Sequence, residues 1–103
     1  MLLAACQPSG NEDRSARTPP VVGVHDVKAR DLQFEPAAIQ VKPGTTVTWH
    51  FEDGAVVHDV NAAGFASPRQ KSGTFSHRFD QPGTFTYRCT LHAGMTGQVV
   101  VSE

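Results

Sequence analysis

Thr84-Phe85-Thr86-Tyr87-Arg88-Cys89 runs directly into Thr90-Leu91-His92-Ala93-Gly94-Met95-Thr96-Gly97, and the join between the two halves decides how the chain folds. The first half alternates, with polar residues at even positions and aromatic or thiol side chains at odd ones. Successive side chains of a β-strand point to opposite faces, so Phe85, Tyr87 and Cys89 share one face, and that face turns inward. The second half cannot continue the strand. Gly94 and Gly97 predict a tight return loop that carries His92 and Met95 back to the strand end where Cys89 points inward.

The same period of two recurs upstream. Val24 to Arg30, Ala38 to Val41, Thr45 to Phe51, His58 to Ala62, Thr74 to Phe79, Thr84 to Cys89 and Gln98 to Ser102 read as strands. Pro43-Gly44, Glu52-Asp53-Gly54 and Gln81-Pro82-Gly83 supply turn chemistry between them. Val47, Trp49 and Phe51 fall on one face and Thr46, Thr48 and His50 on the other, so Trp49 belongs to the core. No amphipathic helix of useful length is visible. The expected fold is all-β, a Greek-key β-sandwich of about seven to eight strands.

The chain has 103 residues, room for one domain, which we place at residues 23–103. Nine Lys and Arg against ten Asp and Glu leave it near neutral, with no basic stripe, which argues against nucleic acid as a partner. No stretch approaches the roughly 20 apolar residues of a membrane-spanning helix.

A thiol, an imidazole and a thioether spaced three residues apart are a copper vocabulary. Soft sulfur stabilises Cu(I) and nitrogen stabilises Cu(II). A second imidazole is needed, and His58 in Gly54-Ala55-Val56-Val57-His58-Asp59-Val60 sits in an apolar run that predicts burial. Singly, each residue has a bland reading: a buried Cys is a small hydrophobe, a lone His is structural, and a Met fills a gap. Jointly they do not, because one loop presents three of them at one sheet end. His50 falls on a polar face and His25 has no apolar setting. His77 shares parity with Phe75 and Phe79 and reads as a hydrogen-bonded histidine at the core edge. Structural zinc rarely uses Met, and the Cys-x-x-Cys-His of haem attachment is absent.

Cys-x-x-His-x-x-Met near the C-terminus, the upstream His followed by a polar residue and Val, and Phe34-Glu35-Pro36 before Ile39-x-Val41 resemble the blue copper proteins, the cupredoxins. The two residues between His92 and Met95 are similar to the short loop of the amicyanin group. The resemblance implies one copper ion per chain, held by His58, Cys89, His92 and Met95. It implies a mononuclear type 1 electron-transfer protein that cycles between Cu(I) and Cu(II) and serves a redox donor and acceptor. No coordination position is left for a substrate, so a carrier is expected and not an enzyme. In this family the loop histidine leads the electron out through an apolar patch, here His92 rimmed by Leu91, Ala93 and Val57. Monomer is the default, since electron-transfer contacts are small.

Two positions depart from the family pattern. Asp59 stands where Asn is common, and its carboxylate is expected to accept a hydrogen bond from Thr90 while favouring Cu(II). At an effective dielectric of about 20 and a separation of about 6 Å the Coulomb energy is roughly 3 kcal/mol. Leu91 stands where many relatives have Pro. Two other readings use the same chain: a copper sequestration or delivery protein of the cell envelope, and a metal-free immunoglobulin-like module. The latter needs a partner cysteine before Trp49 inside the domain, and there is none.

The other cysteine, Cys6, follows Leu3-Ala4-Ala5, which resembles a bacterial lipobox. The residues before it are too few for the apolar stretch of a full secretory signal, so residues 1–22 are read as a truncated signal and a flexible tether. With Cys6 lipidated, residues 7–22 would leash the domain to a membrane with an r.m.s. reach of about 20–25 Å. The expected location is the bacterial cell envelope, periplasmic or otherwise extracytoplasmic.

Overall fold

The computed structural model describes residues 14–103; Cys6, the lipobox and the first part of the expected tether lie outside them. A single helical turn, α1 (Arg14–Arg17), lies against the last strand. Nine strands follow: β1 (Val21–Val22), β2 (Asp26–Arg30), β3 (Gln33–Glu35), β4 (Ala38–Val41), β5 (Thr45–Phe51), β6 (Asn61–Ala62), β7 (Thr74–Phe79), β8 (Gly83–Arg88) and β9 (Thr96–Val101). They form two mixed sheets, ordered β1-β4-β9-β8-β6 and β3-β2-β5-β7. The chain passes repeatedly from one sheet to the other, which makes a sandwich with one core between the layers.

The strand count exceeds expectation because two short strands carry little pattern. Val21 and Val22 pair in parallel with Ile39 and Gln40, so the sheet begins two residues before the expected domain start. β3 is the return arm of a hairpin whose two turn residues, Asp31 and Leu32, both have positive φ (53° and 57°). That is the conformation of a tight hairpin turn, which normally selects Gly or Asn. The strand expected over residues 58–62 shrinks to Asn61–Ala62, with His58 in an isolated bridge to Gln70.

Parity holds where the pattern was strong. Val47, Trp49 and Phe51 are buried, as are Tyr87 and Cys89. Trp49 organises the core, with the Tyr87 ring edge-on at 5.2 Å and Phe75 and Phe79 at 5.9 and 6.4 Å. Tyr87 also meets Phe34 edge-on at 4.8 Å. His77 is held by rings, stacked on Phe65 at 4.0 Å and 16° and edge-on to Phe79 at 4.9 Å, and among the described residues these contacts stand in place of the hydrogen bond expected of it.

Tyr87 is the only tyrosine in the chain, and burial pushes its phenol well above the ordinary value of 10.0. A group whose folded value is raised contributes stability that is complete below the unfolded value and is lost as pH rises beyond it, because only the unfolded chain then releases the proton. On alkaline titration we expect tyrosinate absorbance to appear together with loss of the strand circular dichroism. Ionisation that clearly precedes unfolding would contradict the packing around this ring.

Candidate metal centre

The site is built at one end of the sandwich from two connections. The first runs from β5 to β6. Gly54 turns the chain with φ 62°, and His58 is then fixed by two backbone bonds, His58 N–H to Gln70 O at 3.0 Å and Gln70 N–H to His58 O at 2.9 Å. The His58 side chain is fully buried. The second connection is the β8–β9 loop. Cys89 follows the last residue of β8, and its N–H donates to the Met95 carbonyl at 2.9 Å, while Met95 N–H donates to the His92 carbonyl at 3.2 Å. Gly94, at φ 81°, allows the loop to close. Gly97 works differently from expectation. Its φ is not positive; it faces Tyr87 across the β8–β9 ladder, and the phenol ring occupies the space a side chain would need.

His58, Cys89 and His92 converge, with their donor atoms all within 4.8 Å of one another. Cys89 Sγ is 3.7 Å from His58 Nδ1, and the two imidazoles meet edge-on at 4.9 Å. The thiol is free and 3% exposed. Met95 is 2% exposed and is tied by its backbone to both Cys89 and His92. The remaining histidines lie elsewhere: His25 and His50 engage Asp26 and His77 sits among phenylalanines.

Hydrogen bonds to the distal nitrogens set the tautomers. His58 Nε2 donates to Asp53 Oδ2 at 2.8 Å, which leaves Nδ1 with its lone pair on the side of Cys89. His92 Nε2 donates to the Val57 carbonyl at 3.0 Å, which leaves its Nδ1 free to ligate. The Asp53 carboxylate also accepts the Leu32 N–H at 3.1 Å. These two bonds, His58 first, hold the Asp53 carboxyl below its ordinary value. Sequence reading took Asp53 as a turn former only. The signal it missed is a carboxylate five residues ahead of a histidine in an apolar run.

Asp59 is 5% exposed and ties the two connections together. Its Oδ1 accepts the Thr90 N–H at 2.7 Å and its Oδ2 the Thr90 hydroxyl at 2.6 Å. Around His92, which is partly exposed, Val57 and Leu91 are 38% and 37% exposed, an apolar rim. A buried thiol with two neutral imidazole nitrogens directed toward it is a donor set suited to copper.

The model of the copper-binding proteins of the plastocyanin/azurin family matches residues 21–102. The chain belongs to that family. Amicyanin-alpha of Methylorubrum extorquens is 34% identical over 90 residues, covering 77% of this chain and 72% of the relative. Halocyanin of Natronomonas pharaonis is 40% identical over 90 residues, covering 79% of this chain and 55% of the relative. Among solved structures, a purple cupredoxin from Nitrosopumilus maritimus superposes with a TM-score of 0.71 at 25% identity, over 77% of this chain and all of that one. This cupredoxin is therefore a type 1 copper electron-transfer protein with amicyanins among its relatives, and His58, Cys89 and His92 are placed to bind one metal ion.

Proposed function

We propose that His58, Cys89, His92 and Met95 together hold the copper and that the protein carries single electrons between two redox proteins outside the cytoplasm. The observation that carries this reading is the convergence of a buried free thiol and two imidazoles whose distal nitrogens are already engaged. Bound copper would supply the one-electron couple, and one Cys, two His and one Met would suit both of its oxidation states, soft sulfur favouring Cu(I) and nitrogen Cu(II). The chain supplies everything else. Cys89 gives up its proton to ligate, so metal affinity falls in acid. Asp53 and the Val57 carbonyl fix the imidazole orientations, and the Asp59–Thr90 bonds hold the ligand loop against the His58 connection. Met95, fully inside and tied to its loop neighbours, is the fourth ligand. His92, with Val57 and Leu91 at its rim, is the contact point for a redox partner. A protein whose ligand set is filled by its own side chains acts as a carrier and not as a catalyst. An extracytoplasmic location, with Cys6 as a lipid attachment point, completes the proposal.

The test is spectroscopic. Cu(II) added to the protein is expected to give an intense blue thiolate-to-copper band, narrow copper hyperfine splitting and a reversible one-electron wave in voltammetry. A colourless protein with no reversible wave would sink the carrier reading.

Asp59 offers a second test. In Asp59→Asn the Thr90 N–H can still donate to the amide oxygen while the Thr90 hydroxyl turns to accept from the amide nitrogen, so the bonds survive and only the charge is lost. The reduction potential is expected to rise, by an amount bounded by the roughly 3 kcal/mol Coulomb energy of a carboxylate about 6 Å away. An unchanged potential would show that Asp59 acts through its hydrogen bonds alone.

A further inference from the structure

Among the described residues, Arg69, Lys71 and Arg88 are exposed cations without a carboxylate in ion-pair reach, whereas Lys28, Arg30 and Arg78 each have one. All three are anchored at the metal end of the sandwich. Arg69 and Lys71 flank Gln70, which exchanges both backbone bonds with His58, and the Gln70 side chain donates to the Ser72 carbonyl at 2.9 Å, so this segment is held in place. Gly73 then accepts the Phe51 N–H at 3.0 Å, which keeps Lys71 beside the end of β5 where the His58 connection begins. Arg88 directly precedes Cys89. Because Tyr87 and Cys89 point inward, the Arg88 side chain lies on the outer face of β8, on backbone paired with Asn61 on one side and Thr96 on the other.

The carboxylates at this end are spent or distant. Asp53 and Asp59 are largely buried and engaged with His58, Leu32 and Thr90. Glu52 lies 3.9 Å from Lys28. Asp31 is exposed on the β2–β3 turn, at the opposite edge of its sheet from the segment that leads into β7. With strands about 4.8 Å apart, the separation is on the order of 10–14 Å, a Debye length or more at about 0.1 M salt. The cations border the apolar rim instead. Across the His58–Gln70 bridge Lys71 comes opposite Val57, whose carbonyl holds His92. An apolar centre inside an exposed polar margin is the anatomy of a protein docking face, and a margin of one charge sign selects a partner of the other.

We propose that Arg69, Lys71 and Arg88 form a cationic margin around the His92 patch, and that the redox protein docking there is apolar at its contact centre and acidic at its rim. Such docking rests on the carrier function, with His92 as the point of contact. Whole-chain charge and local charge predict opposite behaviour. The chain carries a formal −1, and the charges of Cu(I) and a thiolate cancel, so net charge alone would repel an anionic oxidant and make its rate rise with salt. The reduced full-length protein is mixed in stopped flow with hexacyanoferrate(III), a trianion, or with tris(phenanthroline)cobalt(III), a trication. Each takes one electron, leaving Cu(II) and hexacyanoferrate(II) or the cobalt(II) complex. Between about 0.01 M and about 0.15 M ionic strength the rate with the anion is expected to fall roughly tenfold, at the low end of electrostatic steering, while the rate with the cation does not fall. In the triple variant Arg69→Gln, Lys71→Gln, Arg88→Gln that fall should vanish, with the blue band retained as the sign of a folded protein. A rate with the anion that rises with salt in the parent, or a fall that survives the triple substitution, would overturn the proposal. Hexacyanochromate(III), a redox-inert paramagnetic trianion, gives a reading that needs no copper. In the metal-free protein it should broaden the amide signals of residues 57, 69–71 and 88–92 ahead of the rest, and uniform broadening would overturn the cationic margin. If no blue centre forms, the carrier function fails by itself, and the broadening still decides the margin. Sedimentation with phosphatidylglycerol vesicles at about 0.15 M salt that is lost in the triple variant would assign the margin to a lipid surface, and overturn the proposal equally.

Discussion

We expect Cys89→Ser to abolish the blue absorption entirely and to weaken copper binding by orders of magnitude while leaving the sandwich folded. The sulfur is the source of the colour, because the intense band is a charge transfer from thiolate to metal, and an alcohol does not ionise to take its place near neutral pH. The substitution is close to isosteric. The new hydroxyl would lie near His58 Nδ1, which can accept its proton in a hydrogen bond, so the buried polar atom has a partner. Far-ultraviolet circular dichroism should therefore match the parent protein. Survival of the band in this variant would exclude Cys89 as a ligand, and a collapsed fold would show that the thiol has a packing role beyond its 3% exposed position.

Gly97→Ala, a single methyl added near the start of β9, is expected to cause a large loss of stability. An added Cβ would fall on the Tyr87 ring, and that ring has nowhere to go. It is wedged between Phe34 at 4.8 Å and Trp49 at 5.2 Å and is 4% exposed. Overpacking of this kind costs about 1–3 kcal/mol and more when neighbours cannot yield. The unfolding free energy should fall by that amount, read as a lower denaturation midpoint with an unchanged slope. Tyr87→Leu combined with Gly97→Ala should cost less than the two changes summed, because each relieves the other. A Gly97→Ala midpoint equal to that of the parent would mean the Tyr87 ring can move aside.

The fold was legible wherever one side of a strand had to be apolar. Phe85, Tyr87 and Cys89, and likewise Val47, Trp49 and Phe51, announce their faces because burial imposes the alternation. β3 gave no such signal. Its turn uses Asp31 and Leu32 where the local conformation asks for Gly or Asn, and leucine in the left-handed region costs on the order of 1–2 kcal/mol. What offsets that cost is distant in sequence: the Leu32 N–H reaches Asp53, 21 residues away. The meeting of Cys89 and His92 was readable for the opposite reason, since the two are close in sequence and their chemistry is distinctive. The role of Asp53 was not readable, because a carboxylate beside a glycine is first a turn residue. Only the fold turns it toward His58. Gly97 was read for its backbone freedom, whereas its value lies in what it lacks. A side chain opposite a tyrosine on the next strand becomes visible only once the register is known.

His58 and Cys89 stand 31 residues apart in the chain and meet at 3.7 Å. An ion gripped by both would close the intervening segment into a ring, and among the described residues Cys89 has no disulfide partner to close it otherwise. The cost of forming such a ring in a loose chain grows with its length, so whatever fastens it holds the folded form against the unfolded one. In a domain with so small an interior, that fastening counts. The redox ion would then also serve as a removable cross-link, and durability of the protein would track the copper supply of the compartment in which it works.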